Sequence, residues 1–300
     1  MKDVDSQVAP LVVILSLCDS MLQGENGQKR KEPDENTPLI PTKMGASKFA
    51  IRKTDFLLGY HEPTEFIRAQ WDGGTRPHLI TVSLRLIHAL LFLAWMIYTF
   101  TFPNVRYHYT TYTYWSLTTL FLDTFLKACI TLYYYQTATY VPDEMNWALK
   151  SSWILGNISH NAAFIVTIAY WSLLFDPGGE VSLSNGVVHI SNALQAMMNL
   201  CIDLRPFRIH HFYIPFIYSS VYIIFTGIFY AAGGMYDKDG AKYAYFFLNW
   251  DEPEAFAKYI WGLIAGLFVV QCLLWLLSRI FRKLWTLCLG EGYRLPLVKM

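Results

Sequence analysis

The feature that most constrains this chain is a series of six long apolar runs divided by short polar segments. They cover about residues 79–102, 112–136, 152–175, 186–204, 209–232 and 256–279. At 1.5 Å per residue, each is close to the length that crosses ~30 Å of bilayer hydrocarbon. In hydrocarbon every backbone N–H and C=O needs a partner inside the protein, so only helices and closed barrels span. Runs this long, without strict alternation, exclude the barrel. The sequence therefore predicts an all-α fold, a polytopic transmembrane bundle of about six helices whose first partner is the lipid bilayer. Composition agrees, with 16% charged residues against about a quarter in a soluble domain. A formal charge of +1 gives no electrostatic footprint for nucleic acid.

Three segments are expected. Residues 1–75 read as a disordered cytosolic tail, because 23–47 are rich in Gln, Glu, Asn, Lys, Asp and Pro and poor in large apolar residues. The short apolar run at 11–17 is far below the roughly 20 residues of a span. Lys2 is followed closely by two acids, Asp3 and Asp5, which fits a secretory signal poorly. Residues 76–283 are the six-helix transmembrane domain, and 284–300 a short cytosolic tail.

Orientation follows from basic residues near the ends of the runs. Arg68, Arg76, Lys150, Arg205, Arg208, Arg279, Arg282 and Lys283 fall on one side; Arg106, Lys238, Lys242 and Lys258 fall on the other. The positive-inside rule then places both termini in the cytosol and the segment 233–255 outside or in a lumen. Tyr107, Tyr109, Tyr112, Tyr114 and Trp115 would belt one outer boundary. No cysteine falls in an outward segment, so no disulfide framework is expected. Cys288 is either a palmitoylation site or a small apolar residue at the interface.

Polar residues deep in the runs are the candidate sites, since an ionisable group in hydrocarbon needs a partner or a cavity. Asp123 and Lys127 are four apart on one helical face and would pair as an internal ion pair. His189, Asn192, Gln195 and Asn199 form a stripe in the fourth run that would face the bundle interior, either for interhelical hydrogen bonds or for chemistry. Thr118 and His189 lie at a similar depth. A threonine hydroxyl needs an adjacent base to become nucleophilic, so the two are candidate catalytic residues for acyl transfer from a lipid-like ester; Thr119 and Thr124 would serve nearly as well by position. No cysteine–histidine spacing calls for a metal, and no cofactor is expected. The Gly-rich outer segment with Asp237 and Asp239 lacks the closing Glu of an EF-hand and reads as a tight turn. In the N-terminal tail, Glu35 followed by Leu39 and Ile40 fits the acidic dileucine sorting signal that clathrin adaptors read.

One stretch carries a resemblance. Tyr230-Ala231-Ala232-Gly233-Gly234, then Asp239-Gly240, Tyr243, Tyr245, Leu248-Asn249-Trp250 and Pro253, resembles the rolling stone family of multi-pass membrane proteins. Leu117-Thr118, the trio Thr167, Tyr170 and Trp171, and His189-Ile190-Ser191-Asn192-Ala193 are similar to it as well. Asn199 and Asn249 depart from the family, standing where acids are common. The resemblance covers about residues 69–283 and implies a membrane protein of a family associated with myoblast fusion, without a biochemical activity. The layout is more distantly similar to the androgen-induced membrane hydrolases, which cleave fatty acid esters of hydroxy fatty acids with a threonine and a histidine. By position these fall on Thr118 and His189. The expectation is thus a membrane protein of the plasma membrane or endosome and lysosome, with a lipid-ester hydrolase second and a small-molecule transporter third.

Overall fold

The computed structural model describes residues 53–101, 105–137, 141–175 and 183–289. The chain divides into two units, residues 1–59 and 60–300. In the first, the described part is one 3-10 turn, Lys53–Phe56, with Leu57 N–H donating to the Thr54 carbonyl. The second holds six long helices: α1 Leu79–Thr99, α2 Tyr112–Gln136, α3 Trp147–Ala169, α4 Leu183–Ile202, α5 Tyr213–Ala231 and α6 Pro253–Leu289. Among the described residues the only extended pairing is a single antiparallel bridge between Ala69 and Asp203. The predicted all-α, six-helix fold is the one that forms.

Neighbouring helices run antiparallel. Arg85, early in α1, bonds to Thr131, late in α2, and Thr167, late in α3, bonds to the backbone of His189, early in α4. One end of the bundle, here proximal, carries residues 60–78 and 203–212. The distal end carries 232–252.

The helices differ in what they face. α3 buries side chains around most of its circumference, from Ala148 to Val166, and packs against α2, α4, α5 and α6. Buried on all sides, it is the centre of the bundle. Trp153 anchors its proximal half, packed edge-on against Phe66 and His211 and donating its Nε1–H to the Pro206 carbonyl at 2.8 Å. α1 buries one stripe, including Val82, Arg85, Ala89, Phe92 and Met96, and exposes Leu84, Ile87, Leu90, Leu91 and Ile97. α1, the stretch Ile209–Ala231 and α6 are long and apolar enough to cross a membrane. Most of the helices' buried polar side chains sit on α2, α3 and α4, with Arg85 of α1 and Gln271 of α6 reaching in to join them.

Two expected boundaries move. Residues 60–75 belong to the folded unit and not to a disordered tail: Ile67 and Asp72 are fully buried and Phe66 nearly so. Their polarity hides this in the sequence, because backbone bonds and buried pairs hold the segment. Gln70 N–H donates to Ile202 C=O at 2.8 Å, and the Gln70 amide to Asp203 C=O at 2.7 Å. Asp72 accepts from Ala69 N–H at 2.7 Å, from His78 N–H at 3.1 Å and from the Thr81 hydroxyl at 2.8 Å. Burial nonetheless pushes the Asp72 carboxyl above its usual range. At the other end, α6 runs 37 residues, about 55 Å of helix, so residues 284–289 are helix where a tail was expected. Arg282 donates to Glu65 at 3.1 Å and to Leu204 C=O at 2.6 Å, and Trp285 Nε1–H donates to Cys201 C=O at 2.8 Å. Those contacts hold the last turns against the proximal end. Residues 1–52 and 290–300 lie outside the described residues, and with them the motif of Glu35, Leu39 and Ile40.

Asp72→Ala strands three donors at once. It should cost on the order of 2 kcal/mol or more, read as a lower unfolding temperature of the detergent-solubilised protein, with Asp72→Asn losing less because one acceptor oxygen survives.

Candidate functional site

Two assemblies stand out inside the bundle, one charged and one apolar. The charged one joins α1, α2, α3 and α4 in the proximal half. Arg205 folds back from the end of α4 and grips the Asp123 carboxylate with both guanidinium nitrogens, at 2.6 and 3.0 Å. It also donates to the Ser152 carbonyl at 2.6 Å. Lys127 donates to Asp203 at 2.6 Å and to the Asn199 side-chain oxygen at 2.9 Å, and Arg85 reaches the other Asp203 oxygen at 2.7 Å. Asp123 and Lys127 therefore make no direct pair. Each takes a different partner across the bundle, because helix geometry puts their tips alongside stronger interhelical donors and acceptors. Three cations share two carboxylates, and Asn199 occupies the place beside Lys127 where a third carboxylate would balance them.

A bare patch of helix makes the tightest of these contacts. A Cβ on Gly156 would lie 2.2 Å from an Arg205 nitrogen, so the guanidinium lies against the α3 backbone itself. The polar side chains of α3 extend the network toward α6. Gln271 donates to Asn157 at 3.2 Å and to Arg208 C=O at 2.8 Å, and accepts from Asn161 at 3.2 Å. Sequence reasoning missed Arg205, Asp203, Gly156 and Gln271. The one available signal was glycine inside a helical run, which calls for a packing reason.

The apolar assembly is a cavity of about 270 Å³ in the distal half. α3, α5 and α6 supply most of its wall, and Tyr245, Phe247 and Leu248 close its distal side. Its polar lining is largely self-satisfied. Tyr112 and Ser219 share a hydrogen bond of 2.8 Å, Tyr222 donates to Thr110 C=O at 3.0 Å, and Ser220 donates to Phe216 C=O at 2.9 Å. Tyr245 lies 3.4 Å from the Thr113 hydroxyl, and burial pushes its phenol above the ordinary tyrosine range, which keeps it neutral.

His189 lines this cavity, whereas the threonine that lines it with His189 is Thr113 and not Thr118. The His189 ring stacks on Tyr170 at 3.7 Å, nearly parallel, where α3 widens into a π-helical turn, Tyr170–Leu174. Its Nδ1 and the Thr118 hydroxyl are both buried without a hydrogen-bond partner, and so are both amide atoms of Asn192. The Thr118–His189 hydrogen bond that nucleophile activation requires is not formed. Thr119 is engaged by Tyr218 at 2.8 Å and by Trp115 C=O, and Thr124 by Leu120 C=O at 2.8 Å.

The residues that carried the resemblance have clear structural roles. Gly233, at φ +75°, ends α5 in the left-handed conformation, and Gly234 N–H closes onto Phe229 C=O at 2.9 Å. Asp237 accepts from Asp239 N–H and Ala241 N–H, both at 2.9 Å, which makes it a turn former. Trp250 donates to Thr226 at 3.2 Å and packs on Phe256. Tyr230 bonds to Asp251. The family model for protein rolling stone matches residues 45–290, most of the chain. The chain belongs to the rolling stone family. Protein rolling stone of Drosophila melanogaster is 23% identical over 159 residues, covering 48% of this chain and 55% of that protein. The chain thus spans about half the length of the curated relative it matches. No solved structure matches it. Family membership and the three apolar helices together make this a membrane protein.

Gly156→Ala should push Arg205 off Asp123 and cost about 3 kcal/mol, the scale for breaking a buried ion pair. The same change in an Arg205→Ala background should cost little more, since no guanidinium remains to be displaced. Thermal unfolding of the four proteins in detergent measures this; equal losses in both backgrounds would reject the contact.

Proposed function

We propose that this chain is a non-catalytic multi-pass membrane protein of the plasma membrane or endolysosomal system, which presents its braced distal segment outward. The observation that carries this reading is the division of the polar side chains. Each deep charge of the network has a partner within the bundle, the candidate nucleophile and base do not meet, and the most elaborately bonded exposed part is the segment 232–252. Charges already engaged in this way also speak against a polar transport path. Rolling stone proteins are associated with myoblast fusion, and an ordered outward surface is what a contact between cells would use.

The orientation in this proposal rests on the positive-inside bias. Arg205 is consumed by Asp123, and Arg208 stacks over Trp153 at 4.7 Å. The bias acts during insertion, before such pairs exist, so both arginines still count toward cytosolic termini. A cytosolic N-terminal tail would offer Glu35, Leu39 and Ile40 to clathrin adaptors.

A hydrolase reading keeps one specific support: His189 and Thr113 line the same apolar cavity. The purified, folded protein should remain unlabelled by a fluorophosphonate-type probe and should not turn over long-chain esters. Labelling that disappears in His189→Ala together with Thr113→Ala or Thr118→Ala would replace the proposal with the enzyme. For traffic, Leu39→Ala with Ile40→Ala should move the protein toward the cell surface; an unchanged distribution rejects the sorting motif.

A further inference from the structure

The distal cavity has a wall of unusual character for an internal void. Its hydroxyls are bonded to the protein itself, as described above; His189, stacked on Tyr170, brings one unpartnered nitrogen, Nδ1, and the rest of the lining is aliphatic or aromatic: Ile165, Val166, Phe216, Ile223, Leu263 and Leu267 among others. A polar ligand would find few free partners there and would leave its own groups unsatisfied. Water fares no better, because a water molecule needs two to four polar contacts to settle in a cavity. An apolar cavity of about 150 Å³ is known to stay dry and take up benzene. This one, at about 270 Å³, has room for a longer hydrocarbon.

Its position says which hydrocarbon. Two of the walls, α5 and α6, belong to the stretches apolar and long enough to cross a membrane, and these two helices touch each other sparsely. Ile224 lines the cavity while 60% exposed, and Ser220, Ile223, Ile260 and Ile264 line it while half-buried. The void therefore opens sideways between α5 and α6, onto a surface studded with Ile217, Val221 and Ile228. Around a membrane-spanning chain, what meets that surface is lipid tails.

We propose that this cavity is a binding site for one acyl chain of a bilayer lipid, entering laterally between α5 and α6 while its headgroup stays with the bilayer. The chain replaces contacts that α5 and α6 fail to make with each other, and it packs beneath Phe247 and Leu248, which close the distal side. The site thus links lipid occupancy to the position of the outward segment. No bond is made or broken, so the inference is independent of the hydrolase reading and of the sorting motif.

The test uses the full chain in nanodiscs made with a phospholipid bearing a photoactivatable, alkyne-tagged acyl chain. Crosslinked peptides are mapped, and excess untagged phospholipid serves as competitor. The wild type should crosslink at Ile223, Leu263 or Ile264. Ala169→Phe and Ser220→Phe, which fill the cavity from opposite walls, should each lower that crosslinking about tenfold, the equivalent of roughly 1.4 kcal/mol of binding. Leu91→Phe, on the exposed face of α1 and away from the cavity, should leave it unchanged. Two filling variants on different helices guard against one failing to fold, and each is first checked by its unfolding temperature. Equal crosslinking in all four proteins would mean only the surrounding annulus of lipid, and would overturn the site. So would wild-type protein with no crosslink at the cavity, or a photoactivatable sterol that labels these residues while the acyl probe does not.

Discussion

A guanidinium in contact with bare helix backbone is the interaction on which the rest of this structure depends. Arg205 lies against α3 at Gly156 and holds Asp123 of α2 with two short bonds. In a low-dielectric interior an unpaired charge is far more costly than a paired one. Once α2 carries an aspartate at its middle, something cationic must reach it. Arg205 comes from the end of α4, so its reach fixes where α4 stops and how the chain turns toward α5. The second pair does the same for the other side of the network: Asp203 is shared between Lys127 of α2 and Arg85 of α1. Four helices are thereby set in register by side chains from one short stretch, 203–205.

That arrangement explains the contrast among the helices. α1, α5 and α6 are apolar enough to meet lipid on their own. Most of the helices' buried polar groups sit on α2 and α3, with Arg85 of α1, Gln271 of α6 and the asparagines of α4 joining them. Packing charge into the proximal half leaves the distal half to aliphatic and aromatic contacts, where complementarity is less strict and a cavity remains. Asn199 fits the same picture. It gives Lys127 an oxygen at 2.9 Å but leaves its own Nδ2 buried without a partner, the mark of a position where a carboxylate would satisfy the surroundings better.

The distal segment is held by other means. A glycine in the left-handed region ends α5, Asp237 closes a turn on two backbone N–H groups, and Trp250 reaches back to Thr226. These local devices were legible as a motif because each residue type has a backbone or ring geometry that few others reproduce. The deep site was not legible in that way. Thr118 and His189 were matched by depth, which helix rise supplies, but depth leaves the direction around the axis open. Thr113 and Thr118 are five residues apart, about 140° around the helix, and it is Thr113 that lines the cavity with His189.

The sequence by itself determined that the chain forms six long helices and that it belongs with the rolling stone proteins; apolar run length and turn-forming residues carry that information locally. The tertiary structure alone decided that Asp123 and Lys127 part company for Arg205 and Asp203. It also drew residues 60–75 into the fold and left an apolar cavity open between α5 and α6. Each of these depends on which faces of distant helices meet, and spacing along one helix does not contain that.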